Sequence, residues 1–288
     1  IRNRELILES NKKSLKFEHV LFESTGKFKN VSIKKLKELA NKGNPIAQYE
    51  LGFKYMGKGN LKQNDEKVFF WMEKSAQQGH LLSIWTLYEI YDGHYKEQRY
   101  DIKLNKIKSL SKYVYWLKKA SDLGFKIAQY NLAQIYHFAD NSILESEFSD
   151  DSIILESESG RKKFKDLIEL GFKKDHAKAK ELYEKAAYQK FPPAQLELGN
   201  FYFKGILGYN KDLNKARELF KEAADYGLAQ AQHNLAYLYH QGIGIKQDLN
   251  KARELYQKPA DEGNKFSQYN LAFMYENGEG IEINLDKA

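Results

Sequence analysis

The chain has 288 residues, of which 42% are hydrophobic, 14% aromatic and 30% charged, with only four prolines. That composition supplies a core and favours helix, so disorder of the whole chain is excluded. Its length exceeds a usual single domain, yet no Pro-, Gly- or Ser-rich stretch divides it, which points to a repeat array. Zero cysteines exclude disulfides, thiolate metal sites and cysteine nucleophiles, and leave the redox compartment open. No apolar run approaches the length of a membrane span, so none is expected. The net charge of +7 would suit nucleic acid, but it comes from 40 lysines against 6 arginines. Bases and phosphates favour arginine's fixed fork, so lysine on helix surfaces is the plainer explanation and nucleic acid ranks last among partners.

In chain order, residues 1–30 fit no repeat and are expected to cap the array. Val31 to Gly43 reads as the second helix of a helix pair, with Leu36, Leu39, Ala40 and Gly43 in place. First helices then begin at Ala47 (AQYELGFKYMGKG), Ser83 (SIWTLYEIYDG), Ala128 (AQYNLAQIYHF), Ala194 (AQLELGNFYFKG), Ala231 (AQHNLAYLYHQG) and Ser267 (SQYNLAFMYENG). The last three lie 37 and 36 residues apart, and KDLNKARELF from Lys211 recurs 36 residues later as QDLNKARELY from Gln247. A fixed period of this length marks stacked supersecondary units. In the first helices Ala47, Leu51 and Tyr55, or Ala231, Leu235 and Tyr239, fall at i, i+4 and i+8, giving one buried stripe. Small residues after the Leu (Gly52, Ala133, Gly199, Ala236, Ala272) let two helices approach closely. Asp212 and Asp248 are placed to cap second helices carrying Ala216, Leu219, Phe220 and Ala223, or Ala252, Leu255, Tyr256, Pro259 and Ala260. Gly227 and Gly263 suit left-handed caps at their ends.

Two repeats depart from the period. The second helix expected soon after Asp92-Gly93 is recognised only at Tyr113 to Ala120. A larger insertion is expected at about 139–173, and its part from Asp140 to Gly160 holds seven acids and no base, with ILESE repeated at Ile143 and Ile154. It reads either as a solvated low-complexity loop or as an acidic segment that docks on the basic surface or competes with an acidic partner. The last repeat stops inside its motif at Ala288 and the first residue is Ile1, so a trimmed or excised chain is expected.

The pattern A-x-Y-x-L-G-x-x-Y-x-x-G-x-G, then D-x-x-K-A, then W/Y-x-K-A-A-x-x-G resembles the Sel1-like repeat, a relative of the tetratricopeptide repeat. Residues 46–79 match with Asn64 in place of the Asp and Val68 in place of the Ala, and residues 191–288 match best. The resemblance implies an all-α fold: a right-handed α/α superhelical solenoid of about six Sel1-like helix pairs over 31–288, with capping helices. It also implies adaptors, regulators, secreted effectors and immunity-like binders as functions.

In tetratricopeptide-like stacking the first helices line the concave face, which places residues two before, one before and two after the stripe Leu in a groove. Those are Tyr49 and Phe53, Trp85 and Glu89, Tyr130 and Gln134, Leu196 and Asn200, His233 and Tyr237, and Tyr269 and Phe273, with Asn131, Asn234 and Asn270 one before the Leu. Aromatics and amides suit an extended peptide, whose backbone an asparagine reads with both donors and an acceptor. Packing between neighbouring helices, and asparagines that tie the turns together, are the alternatives for the same residues.

No nucleophile elbow, Walker loop, dinucleotide fingerprint or His-Glu metal spacing occurs, and no catalytic residue, metal or cofactor is assigned. Glycine pairs such as Gly57 and Gly59, or Gly278 and Gly280, recur with the repeat as interhelical turns. His137, His233 and His240 are scattered. The expected function is therefore a non-catalytic scaffold or adaptor that grips a protein or peptide in the concave groove. An inhibitor or immunity protein that blocks an enzyme, and a regulatory region of a larger enzyme, are the alternatives. Location is left open between cytoplasm, which is preferred, and secretion or the periplasm.

Overall fold

The computed structural model describes residue 28 and residues 31–57, 61–92, 106–139, 158–280 and 282–283. The expected capping segment therefore falls outside the described residues, apart from Phe28, as does the acidic stretch up to residue 157. Among the described residues every regular element is a helix. In order these are α1 (Ile33–Asn41), α2 (Pro45–Tyr55), α3 (Asp65–Gln77), α4 (Leu81–Asp92), α5 (Lys106–Asp122), α6 (Lys126–Phe138) and α7 (Glu158–Glu169). They continue with α8 (His176–Tyr188), α9 (Pro192–Lys204), α10 (Leu213–Asp225), α11 (Ala229–Gln241), α12 (Leu249–Asp261) and α13 (Lys265–Asn277). The chain divides into two compact units between Lys173 and Lys174.

All six expected first helices are present as α2, α4, α6, α9, α11 and α13. The second helices α10 and α12 start at the expected side-chain caps: Asp212 accepts from Lys215 N–H at 3.0 Å and Asp248 from Lys251 N–H at 2.9 Å. Asn64 does the same for Lys67 at 2.9 Å, so the asparagine that replaces aspartate keeps the function. The cap residue's own N–H closes the turn onto the Tyr of the preceding helix, Asp212 to Tyr202 O at 2.9 Å and Asp248 to Tyr239 O at 3.0 Å. Second helices end at Gly43, Gly79, Gly124, Gly227 and Gly263, all left-handed with φ between 80° and 91°. Glycine adopts that region without the Cβ clash other residues meet.

The core runs between the members of each pair. Ala216, Phe220 and Ala223 of α10, and Ala252 and Tyr256 of α12, are at most 2% exposed, as are Ala47 and Leu51 of α2. In α9 the small residue decides the spacing, because a Cβ on Gly199 would lie 2.6 Å from the Phe220 ring.

The stretch read as an insertion contains α7, and α7 ends as a second helix does. Gly171 N–H bonds to Ile168 O at 2.9 Å and Phe172 N–H to Leu167 O at 3.2 Å. The same pair of bonds closes α10, from Gly227 to Ala224 and from Leu228 to Ala223. It closes α8 as well, where Lys190, left-handed at φ 54°, stands in the glycine's place. Two second-helix endings thus follow one another, with too few residues from Phe172 to the α8 cap Asp175 for a first helix between them. The two units divide at this skipped helix. The late helix after Asp92 is also longer than its motif: α5 begins at Lys106, two turns before Tyr113.

Two substitutions test this packing by chemical denaturation. Gly199→Ala gains about 1 kcal/mol of helix propensity but presses on a buried ring, an overpacking cost of about 1–3 kcal/mol, so net destabilisation is expected. Pro259 sits inside α12 where α10 has Ala223. Pro259→Ala restores a helical N–H donor, and its unfolding midpoint should rise, by up to about 3 kcal/mol of stability.

Candidate functional site

The positions two before the stripe Leu lie under the next repeat. Tyr49 is 7% exposed, with its ring 5.1 Å from that of His80 just before α4. Trp85 packs 5.4 Å from Phe125 just before α6, and Tyr130 and Leu196 are likewise buried. His233 is half-buried, its Nδ1 2.9 Å from Ser267 Oγ on α13 and its ring 5.5 Å from Tyr256. Tyr269, on the last described first helix, is 70% exposed. For this line of residues packing between neighbours explains the aromatics, and Tyr269 is open because no described helix follows α13.

The positions one before and two after the Leu form an open face in the C-terminal unit, whereas Thr86 and Gln134 at these positions in the N-terminal unit are buried. In the C-terminal unit Tyr237 and Phe273 are 39% and 40% exposed, and Asn200, Asn234 and Asn270 are half-buried. Asn234 Nδ2 donates to Asn200 Oδ1 at 3.0 Å, so the residue after the Leu on α9 meets the one before the Leu on α11. Gln230 Nε2 donates to Asn234 Oδ1, and Asn264 Nδ2 to Gln230 Oε1, both at 3.2 Å. This chain of primary amides crosses three first helices in one donor direction. Each of Asn234 and Gln230 spends one N–H and one lone pair in it and keeps one of each for another partner. Asn270 donates to the Tyr256 hydroxyl at 3.2 Å. Phe266, one turn before Asn270, is 57% exposed.

In the N-terminal unit the same face carries Phe53, Glu89 and Gln134 after the Leu and Glu50, Thr86 and Asn131 before it. Asn131 donates to the Tyr88 hydroxyl. Gln134 is 3% exposed and donates to the Tyr130 hydroxyl at 3.0 Å. Burial pushes the Tyr49 hydroxyl up to about 12, opposed by its bond with Thr86 and reinforced by Glu50 and Glu89. Burial also raises the Glu50 carboxyl, against the pull of Lys54 one turn on.

A repeated glutamine, next to the stripe Ala, escaped the sequence analysis. Gln48 Nε2 donates to Ala40 O at 3.0 Å, Gln268 to Ala260 O at 3.0 Å, and Gln129 and Gln232 to Ser121 O and Ala224 O at 3.4 Å. Each gives a second donor to a last-turn carbonyl of the preceding second helix that already accepts from the closing glycine N–H. The signal was present in the recurring Ala-Gln pair. Gln195 is the exception and turns to Glu222 of α10. Between repeats, His240 Nε2 lies 2.6 Å from Glu279 Oε2.

Stacked, capped helix pairs of this kind define an α-solenoid repeat protein. The Sel1 repeat matches residues 45–80, 114–125, 126–142, 167–191, 192–227, 229–264 and 265–288, well over half of the sequence, and the chain belongs to the Sel1 repeat family. Among solved structures it is similar in fold to a Sel1 repeat protein from Oxalobacter formigenes, with 22% identity, a TM-score of 0.57, and coverage of 96% of this chain and 93% of that one. A protective antigen of uropathogenic Escherichia coli with an SLR fold matches at 24% identity and a TM-score of 0.37, covering 90% of this chain and 62% of that one. No curated protein matches. Among the described residues no helix is long and apolar enough to cross a membrane.

His80 and His233 give the fold a pH dependence. Burial lowers both from 6.5 to about 4. The unfolded chain therefore binds more protons than the folded one between about pH 6.5 and 4, and stability present above pH 6.5 is lost as pH falls through that window. Thermal unfolding at pH 7 and pH 5 should show a lower midpoint at pH 5, and a His80→Gln, His233→Gln variant should show a smaller difference.

Proposed function

We propose that this chain is a non-catalytic scaffold that holds a protein or peptide segment against the first-helix face of its C-terminal unit. Sel1 repeat proteins generally mediate protein–protein interactions. The observation that supports this site is the set of exposed aromatic rings Tyr237, Phe273 and Phe266 on α11 and α13. They sit beside the amide chain of Asn264, Gln230, Asn234 and Asn200. Large rings left in water beside half-used amide donors and acceptors are the usual composition of an interface centre. The residual donors and acceptors of Gln230 and Asn234 suit an extended backbone, whose N–H and C=O groups alternate.

Truncating a central ring at such a surface costs about 2 kcal/mol, or about 30-fold in affinity. The test is affinity capture from source lysate with wild type beside a Tyr237→Ala, Phe273→Ala variant of unchanged helical circular dichroism. A protein held by wild type and lost by the folded variant is the expected result. Equal retention by both would overturn the site.

A further inference from the structure

The second helices present a line of their own to solvent. Counted nine residues back from the left-handed residue that closes each helix, it runs Lys34, Phe70, Tyr115 and Lys162 on α1, α3, α5 and α7 of the N-terminal unit. On α8, α10 and α12 of the C-terminal unit the same register holds Glu181, Glu218 and Glu254. All these side chains are exposed, Phe70 and Tyr115 each to 49%. Glutamate serves there in three repeats, so the packing of a helix pair does not require a ring at this register.

The two rings are held in the same way. Phe70 meets the buried Trp71 edge to face with centroids 4.9 Å apart, and Tyr115 meets the buried Trp116 edge to face at 4.8 Å. α3 and α5 lie side by side, because Lys112 Nζ reaches Glu73 Oε1 across them at 2.6 Å. One turn beyond the rings stand Lys74 and Lys119, both exposed and neither in an ion pair among the described residues. Lys74 Nζ lies instead 4.5 Å over the Phe70 ring. In the C-terminal unit the glutamates of the line are largely compensated from their own helices, Glu181 by Lys185 and Glu254 by Lys251.

Rings in water beside ammonium groups without a counter-charge are complementary to carboxylates set next to aliphatic side chains. A polypeptide segment supplies both groups at helix spacing. An anionic bilayer fits less well, because a flat surface that takes both rings also takes the exposed carboxylate of Glu66, one turn before Phe70 on the same line.

We propose that the α3–α5 face of the N-terminal unit is a second docking surface, which takes an acidic segment of a partner polypeptide. The segment's aliphatic side chains rest on Phe70 and Tyr115, and its carboxylates pair with Lys74 and Lys119. This surface lies on other helices than the rings and amides of the C-terminal unit and stands or falls apart from them.

The probe is a fluorescein-labelled dodecapeptide of repeated Glu-Leu-Leu-Glu, titrated by fluorescence anisotropy, with twins in which serine replaces leucine or lysine replaces glutamate. Wild type should bind the Glu-Leu peptide saturably, and either twin at least about tenfold more weakly, the loss of one central contact. A Phe70→Glu, Tyr115→Glu variant, which takes the side chain of the C-terminal unit at this register, should keep its circular dichroism and lose affinity to the same degree. So should Lys74→Gln, Lys119→Gln, which decides the matter if the first variant loses helicity. Tyr188→Glu, Tyr226→Glu makes the same change of charge on exposed rings of the C-terminal unit and should bind as wild type does. Equal loss in that variant would reduce the effect to net charge and overturn the site. Loss in Tyr237→Ala, Phe273→Ala would overturn it in favour of the C-terminal unit. Unchanged binding by the Phe70 and Tyr115 variant, equal binding of the serine twin, or no binding by wild type would also overturn it. Sedimentation with vesicles of equal phosphatidylserine and phosphatidylcholine, lost in Phe70→Glu, Tyr115→Glu while no peptide binds, would replace the polypeptide with a membrane surface.

Discussion

Everything in the repeat depends on how closely the two helices of a pair approach, and outside α4, which carries the buried Tyr88 there, a single small residue sets that distance. Gly199 and Gly52 stand where a Cβ would lie 2.6 Å from Phe220 and 3.1 Å from Met72. In α11 the same position is Ala236, packed in one cluster with Tyr256. With the small residue in place, the large side chain of the second helix lies flat against the first and the stripes of Ala and Leu close beneath it. Interiors are packed at crystal density, so this approach transmits to the turn and to the next pair. The cap at Asp212 or Asp248 and the bond from its N–H to Tyr202 or Tyr239 then have one geometry available. The exposed face inherits its order from this: the residues around the stripe Leu are presented at a fixed spacing because the Leu is locked behind them.

The skipped first helix shows what happens when the pairing rule is suspended. α7 and α8 each end with the hydrogen bonds of a second helix, and the chain between them is too short for a partner helix. A repeat protein is stabilised by nearest-neighbour interfaces, so a missing member removes both of its interfaces at once. The chain divides into its two compact units at that point, between Lys173 and Lys174. Strain marks the next helix ending: α8 closes with Lys190 at φ 54°, where other second helices use glycine. A left-handed residue with a Cβ costs about 1 kcal/mol, and the surrounding hydrogen bonds hold it there.

Much of this was legible in the sequence, for reasons that can be named. The period, the caps at Asp212 and Asp248, the left-handed Gly227 and Gly263 and the small residues beside the stripe Leu are local rules, and each appears where its residue type placed it. α7 was less legible because its motif is degenerate: Gly171 keeps the register, but Gly160, Leu167 and Ile168 stand where α10 has Ala216, Ala223 and Ala224. The glutamine that ties each first helix to the preceding helix end was visible as Ala-Gln. Its role was not visible, because the carbonyl it donates to belongs to another helix. The groove residues were legible as a set but not in their division of labour. Whether Tyr49 or Trp85 faces solvent depends on what the next repeat places over it, and a single repeat's pattern does not contain that information.

The two faces follow from one register filled with different side chains. Position for position, Asn234 and Tyr237 in the C-terminal unit correspond to Glu50 and Phe53 in the first repeat, and the scaffold behind them is the same. Because the stripe Leu and the small residue carry the packing in the C-terminal unit, Asn234, Tyr237 and Phe273 beside them are released from it. Tyr237 stays 39% exposed while Leu235 is 5% exposed. Substitution there alters charge and hydrogen-bonding capacity without disturbing the pair, which is how a repeat fold separates stability from recognition. The amide chain of the C-terminal unit is partly self-satisfied, whereas Gln134 in the N-terminal unit keeps a buried acceptor without a donor.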